Sequence, residues 1–489
     1  MVLLFCDGFV WGYRLKTQNL IGGKWCGGDQ TIEVTNPATG ELIARVDSGG
    51  AEGAKSAIGA AFEAREDWAG RTAADRGAMV ASLAGLMRRD VDRLAELMTL
   101  EQGKPLAEAR GEIAYAASFL ELAAEEGRRL NGDIVPGSSV EQRILVLRQP
   151  VGVTAIITPW NFPSAMITRK LGPALAAGCT VVIKPAELTP LSALAIGELA
   201  CEAGFPAGVI NIVTGEPGPI GDALLWDDRV RKLSFTGSTG VGRMLMGKAS
   251  AHLLRLSLEL GGHAPFIVFD DADLDRAVAG AIACKFRNAG QTCVCANRFY
   301  IQSGIYDEFV GRFAEAIGEM SVGDGMREGV VIGPLINEAA MRKVESHVDD
   351  ARSKGAEFLV GGSRLSIDGL ADRFYAPTLL TGMTPSMKIY REETFGPVAP
   401  VARFETEDEV IGLANDSEFG LAAYFFTRDA SRLMRVAEGL EYGIVGANDG
   451  TPSNAAAPFG GMKHSGFGRE GGKYAMDEYT ELKYISLRL

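Results

Sequence analysis

The stretch Val151-Gly-Val-Thr-Ala-Ile-Ile-Thr-Pro-Trp-Asn-Phe-Pro163 decides the fold class. Its first seven residues are β-branched or small, with almost no polar interruption. A run of that kind reads as a strand covered on both faces. Thr158-Pro159 ends it, and a helical pattern follows at 164–177. The same unit then repeats: β-rich runs at 180–183, 208–213 and 232–235 alternate with helical stretches at 190–203, 217–226 and 239–250. Strand–helix alternation at this spacing predicts a parallel sheet wound with helices. Such folds bind ligands beyond the carboxyl ends of their strands. The pattern implies a nucleotide-binding architecture and leaves the chemistry to be argued from the site.

A second alternation runs through 265–269, 273–287, 298–301, 305–320, 357–360, 408–414, 422–426, 430–438 and 444–447, predicting a second α/β unit. Upstream, Met79, Val80, Leu83, Leu86 and Met87, then Leu94, Leu97 and Met98, recur at helical spacing, so 52–130 reads as helices stopped by Asn131-Gly132. The short apolar run at 144–147 suits a hairpin arm. The tail at 479–487 suits a strand that leaves its domain. The expected fold class is therefore α/β, with parallel-rich sheets.

Composition excludes several function classes. The 489 residues are 47% hydrophobic and 23% charged, values of a globular chain with a large core. A net charge of −13 without a basic run argues against a nucleic-acid partner. No apolar stretch has the length of a membrane span, and Met1–Phe5 lacks the features of a signal peptide. The seven cysteines show neither a disulfide framework nor zinc spacing, which points to a reduced, cytoplasmic protein. Four histidines without HExxH make a histidine metal site or a Ser-His-Asp triad a poor reading, so no metal is expected and the base should be a carboxylate.

Four motifs can carry chemistry. In Phe286-Arg-Asn-Ala-Gly-Gln-Thr-Cys-Val-Cys-Ala-Asn-Arg298, Cys293 follows a glycine turn at a helix end, where a thiolate would be a nucleophile; the commoner fate of cysteine is inert burial. Leu258-Glu-Leu-Gly-Gly262 sets Glu259 among apolar residues, which would raise its pKa toward that of a general base, unless it faces water. Asn161 lies in a stiff loop between prolines and can donate to an oxyanion or form an Asx-turn. Phe235-Thr-Gly-Ser-Thr-Gly-Val-Gly242 is strand, glycine turn and helix start, a phosphate site without GxGxxG spacing. Lys184 and Glu187, after the neighbouring strand, are within reach of a ribose or are plain surface residues.

Together these motifs resemble the aldehyde dehydrogenase superfamily. Further matching motifs are Ile21-Gly-Gly-Lys-Trp25, Glu392-Glu-Thr-Phe-Gly-Pro397 and Pro458-Phe-Gly-Gly461. Phe286–Arg298 and Ser164-Ala-Met-Ile-Thr-Arg-Lys170 are most similar to NAD(P)-dependent succinate-semialdehyde dehydrogenases. The resemblance implies a Rossmann-like NAD-binding domain (1–130 and 151–261), a catalytic domain (262–445) and a small β oligomerisation arm (131–150 and 470–489). It implies Cys293 as nucleophile, Glu259 as base and Asn161 as oxyanion donor. Pro159, Trp160, Lys184, Glu187, Gly237, Ser238, Glu393 and Phe395 would hold NAD, favoured over NADP because Glu187 would repel a 2′-phosphate. Arg169, Arg287 and Ser453 would bind a distal carboxylate, with Arg287 on a persisting helix.

The implied reaction is oxidation of a semialdehyde, best succinate semialdehyde, through a cysteine thiohemiacetal and thioester, followed by hydrolysis, in a homo-oligomer. Glutarate semialdehyde, a generic aliphatic aldehyde, CoA as acyl acceptor and a non-catalytic structural paralogue are the alternatives. Cys295 would be a redox partner of Cys293 or else a small packing residue; in an extended strand the two side chains would share one face at the long end of disulfide reach, so the bond would need a tighter turn or local backbone movement. His263 and the 451–457 loop depart from the resembling sequences. His263 stands near the base and is a candidate to alter its pKa, and the loop should line the substrate mouth.

Overall fold

The computed structural model describes residues 9–10 and 13–489; the apolar start at 1–5 lies outside the described residues. The first sheet has eight strands, in the order Gly466–Phe467, Arg255–Glu259, Val230–Thr236, Val153–Ile157, Thr180–Lys184, Ile210–Ile212, Asn19–Ile21 and Lys24–Cys26. The five strands from Arg255–Glu259 to Ile210–Ile212 are parallel, and the outer ones are antiparallel. The chain runs outward from Val153–Ile157 on one side, then returns to Val230–Thr236 on the other. That reversal is a topological switch point, and the loops after these two strands open onto it.

Helices cover this sheet on both sides. Ala165–Ala177 is buried at every residue, because it is sandwiched between the sheet and the helix Leu106–Glu126. Gly178, in the left-handed conformation at φ 102°, ends it.

The second sheet has seven strands, in the order Glu357–Val360, Thr378–Thr381, Val398–Phe404, Ala296–Gln302, Ala264–Val268, Ala422–Phe426 and Ile444–Ala447. All pair in parallel except Glu357–Val360. Two of these strands, Thr378–Thr381 and Val398–Phe404, and the helix Glu338–Ser353 were not expected from the sequence, nor were the N-terminal strands between Asn19 and Ser48.

Three antiparallel strands, Thr480–Arg488, Gln142–Pro150 and Asp133–Pro136, form a separate sheet. It joins the expected hairpin and the expected tail. Pairing of the tail begins at Thr480, however. Residue 470, expected to open the arm, is buried against the first sheet instead, where its carboxylate meets Lys170.

The helix expected at 273–287 is Leu274–Phe286, and it does not persist through Arg287. Asn288 and Ala289 adopt left-handed backbone (φ 52° and 54°), which turns the chain out of the helix and into the cysteine loop. Arg287 therefore sits at a corner, free of helical register.

Candidate active site

One cleft of about 360 Å³ opens at the switch point, in the size range of a ligand or cofactor site. Pro159, Trp160 and Asn161 reach it from the first strand of the crossover, and Gly237 and Ser238 from the start of the helix Thr239–Ala249. Cys293, Glu393 and Phe395 close the opposite wall. Eight of the expected residues thus meet in one place although they are scattered over more than two hundred positions.

Two glycines make the approach possible. A Cβ on Gly262 would lie 2.3 Å from the Cys293 carbonyl oxygen, and one on Gly290 (φ 74°) 2.2 Å from the Gly396 carbonyl oxygen. Any other residue at either position would push the Cys293 loop away from its neighbours.

Cys293 is partly accessible and its thiol is pushed up to about 11, chiefly because its surroundings desolvate the thiolate; Arg169 acts in the opposite direction. The Cys293 backbone N–H has no hydrogen-bond partner among the described residues. Asn161 donates one amide hydrogen to the Gln291 carbonyl at 3.0 Å, which leaves its second N–H available. Its backbone carbonyl accepts from Lys104 Nζ (2.8 Å) and Asn288 Nδ2 (3.0 Å). Lys104 is ion-paired with buried Glu112, whose other oxygen accepts from the Ser164 and Ala165 N–H groups. Asn161 is therefore fixed by a buried network, not merely by its flanking prolines.

Glu259 ends the strand Arg255–Glu259 and is buried, with Oε2 unpartnered. Burial first, and the nearby Glu470 carboxylate second, push its carboxyl well above the ordinary range; Arg169, Lys170 and Arg469 oppose this. His263, four residues further on, is itself buried. Its imidazole stays neutral through burial, with Nε2 2.9 Å from the Tyr390 carbonyl. His263 belongs to the second sheet's packing, contrary to the expectation that it tunes the base.

Glu470 was not expected from the sequence. It pairs with both Arg169 and Lys170, and Lys170 also donates to Thr236 Oγ1. Lys343, from the unexpected helix Glu338–Ser353, lines the cleft beside Glu393. Burial raises Glu393 to about 7, opposed first by a hydrogen bond from the Gly262 N–H. Phe395, held at φ 57°, meets Trp160 edge-on at 5.6 Å.

Lys184 and Glu187 do not line this cleft. They lie at and just past the end of the neighbouring strand Thr180–Lys184, ion-paired at 2.9 Å, with Lys184 buried and Glu187 partly exposed. Thr158 N–H donates to the Lys184 carbonyl, which sets the pair beside the mouth of the switch point.

A second, much smaller cavity of about 40 Å³ adjoins Cys293 and is lined by Arg169, Arg287 and Ser453. The two arginines differ. Arg169 is fully buried, compensated by Glu470 and laid over Phe459 at 4.3 Å. Arg287 has no ion pair or hydrogen bond among the described residues and rests over Phe162 at 5.3 Å. Cys295 is outside both cavities. Cys293 and Val294 form a turn, not a strand, and Cys295 enters the core, where Lys285 Nζ stands 3.3 Å from its sulfur.

The aldehyde dehydrogenase family profile matches residues 25–485, nearly the whole described chain. The chain belongs to the aldehyde dehydrogenase family. These enzymes are NAD(P)-dependent oxidoreductases that act on small aldehydes. The chain is 56% identical to the NADP(+) succinate-semialdehyde dehydrogenase of Escherichia coli (strain K12), over 97% of this chain and 98% of that one. It is 55% identical to the glutarate-semialdehyde dehydrogenase of Pseudomonas putida, over 96% and 98%. The crystal structure of succinate-semialdehyde dehydrogenase from Burkholderia pseudomallei superposes with a TM-score of 0.95 at 54% identity, covering 97% of this chain and 98% of that one. No helix among the described residues is long and apolar enough to cross a membrane, and no cluster of three potential metal ligands occurs among them.

Proposed function

We propose that this aldehyde dehydrogenase oxidises a short semialdehyde carrying a distal carboxylate, succinate semialdehyde above all, to the dicarboxylate. The observation that carries the reading is the cavity beside Cys293, where a guanidinium without a direct ion pair, Arg287, meets Arg169 and Ser453. A forked cation in a small apolar-walled cavity selects an anionic end group. The similarity to succinate- and glutarate-semialdehyde dehydrogenases supports the same class. One added methylene is worth only about 1–3 kcal/mol of discrimination, so glutarate semialdehyde is the nearest competitor.

Cys293 attacks the aldehyde carbon to give a thiohemiacetal. Asn161 Nδ2 and the Cys293 N–H, both with a free hydrogen, stabilise the oxyanion; one such donor is typically worth about 3 kcal/mol. Bound NAD(P) supplies the hydride acceptor. The residues fit that group: the cleft has a helix start capped by Ser238, whose N–H groups suit a diphosphate, and Glu393 and Lys343 stand near Cys293. Glu259 takes a proton from the water that hydrolyses the thioester. Its raised pKa makes it a stronger base than an ordinary carboxylate once ionised.

NAD is the preferred cofactor in this reading, because Glu187 would face an adenosine-ribose 2′-phosphate with like charge. Cys295 serves as a resolving thiol for oxidised Cys293. The six described cysteines are all free, in keeping with a reducing cytoplasmic compartment. The three-stranded sheet acts as the oligomerisation arm. It exposes Ile134, Leu482 and Tyr484 at 78%, 66% and 62%, more apolar surface than a lone arm would keep. Initial rates over succinate semialdehyde, glutarate semialdehyde and butanal, each with NAD and NADP, test the reading. A kcat/KM for butanal equal to that for succinate semialdehyde overturns it.

A further inference from the structure

Tyr115 projects from the helix Leu106–Glu126 into the same cavity as Arg169, Arg287, Ser453 and Cys293. Its ring is clamped edge-on by Phe119 at 4.6 Å (interplanar angle 66°). Its hydroxyl oxygen is buried and has no hydrogen-bond partner. A buried phenol without a partner is uncommon, because burial removes its water and nothing replaces it.

The neighbours explain which partner is missing. Arg169 and Arg287 are the cations nearest in electrostatic effect on the phenol. Arg169 Nη2 is likewise buried without a hydrogen bond, and Ser453 Oγ makes none among the described residues. Arginine and the tyrosine O–H donate, and serine can donate as well. Glu470, the carboxylate on this side, is already engaged by Arg169 and Lys170. The end of the cavity is therefore a set of convergent donors with no acceptor. Burial also raises the phenol pKa, so the hydroxyl keeps its proton at neutral and moderately alkaline pH.

We propose that the Tyr115 hydroxyl is a specificity-determining donor that binds the substrate's distal carboxylate together with Arg287 and Ser453. The proposal rests on the semialdehyde reading above. A carboxylate has about four lone-pair directions, more than one guanidinium fills, and Tyr115 supplies a donor from the helix side. The edge-on clamp holds the phenol in one orientation, so little ordering is needed on binding.

The test is Tyr115→Phe in the full-length enzyme, which removes one oxygen and leaves the ring packing. KM for succinate semialdehyde should rise roughly 10- to 150-fold with kcat within about twofold, as for loss of one donor to an anion. KM for butanal should stay within about twofold, and inhibition by the product succinate should weaken with the semialdehyde. The thermal midpoint should not fall, because no internal partner is lost. A fall in the midpoint with equal losses on both substrates would show a packing role and overturn the proposal. Unchanged KM for succinate semialdehyde, in an enzyme whose wild type prefers it over butanal, also overturns the proposal and leaves the functional reading standing. A wild type without that preference overturns both.

Discussion

Arg287→Ala separates the two arginines that the sequence could only list side by side. Arg287 makes no direct ion pair among the described residues; the partly buried Glu108 carboxylate feels its charge but is held first by Lys104 and by the Asn288 N–H, so removing Arg287 breaks no contact with a carboxylate. What is lost is its interaction with an anionic substrate group. Hydrogen bonds to charged groups contribute about 1.5–3 kcal/mol, and 1.4 kcal/mol is a factor of ten. kcat/KM for succinate semialdehyde should therefore fall roughly 10- to 150-fold. Butanal, the same length without the carboxylate, should lose less than about threefold. Arg169→Ala should behave otherwise. It strips Glu470 of one of its two partners inside the core, beside Glu259. Breaking a buried pair in this way costs on the order of 3–5 kcal/mol of stability, and both substrates should suffer together. The assay is kcat/KM for the two aldehydes in each variant, with thermal unfolding alongside. Equal losses for both aldehydes in Arg287→Ala would refute the assignment of Arg287 to the carboxylate.

Glu187→Ser should raise kcat/KM with NADP relative to NAD at least fivefold, by removing the charge opposed to a 2′-phosphate; an unchanged ratio places the selectivity elsewhere. Glu259→Gln should lower steady-state turnover about 10²- to 10⁴-fold yet keep one equivalent of NAD(P)H per site in a rapid burst, because hydride transfer precedes hydrolysis. Absence of the burst would remove Glu259 from the hydrolytic step. The wild-type hydrolysis rate should climb as pH rises through the raised Glu259 value and fall below it, since only the carboxylate accepts the proton. That limb should vanish in Glu259→Gln. Peroxide should inactivate the enzyme by oxidising Cys293 to a sulfenic acid with release of water; Cys295 then displaces a second water to form the disulfide. Because Cys295 must leave Lys285 and the core, the second step should be slow. Thiol reductant should restore activity in wild type and fail in Cys295→Ala, and peptide mapping that finds no Cys293–Cys295 link refutes the switch.

The parallel strands Val153–Ile157 and Thr180–Lys184 were legible because burial on both faces writes a nearly uninterrupted apolar run, ended by Thr158-Pro159 in one and Pro185 in the other. The strand Gln30–Thr35 was not legible, since it is largely exposed and paired only in a two-stranded ribbon, so nothing forces an apolar run. Val398–Phe404 hid behind Pro400, which reads as a breaker. The helix Glu338–Ser353 did carry a signal, with Met341, Val344, Val348 and Ala351 on one face, and Lys343 could have been found with it.

The site divides in the same way. Cys293, Glu259 and Asn161 sit inside compact motifs whose local chemistry is readable. What controls them is not local. Glu470 is 300 residues from Lys170, in a glycine turn that looks like exposed loop, yet it neutralises Arg169 and acts on Glu259. Sequence shows that two arginines and a carboxylate exist. Only the packing shows which arginine is already taken, and that decides which of them is left to meet the substrate.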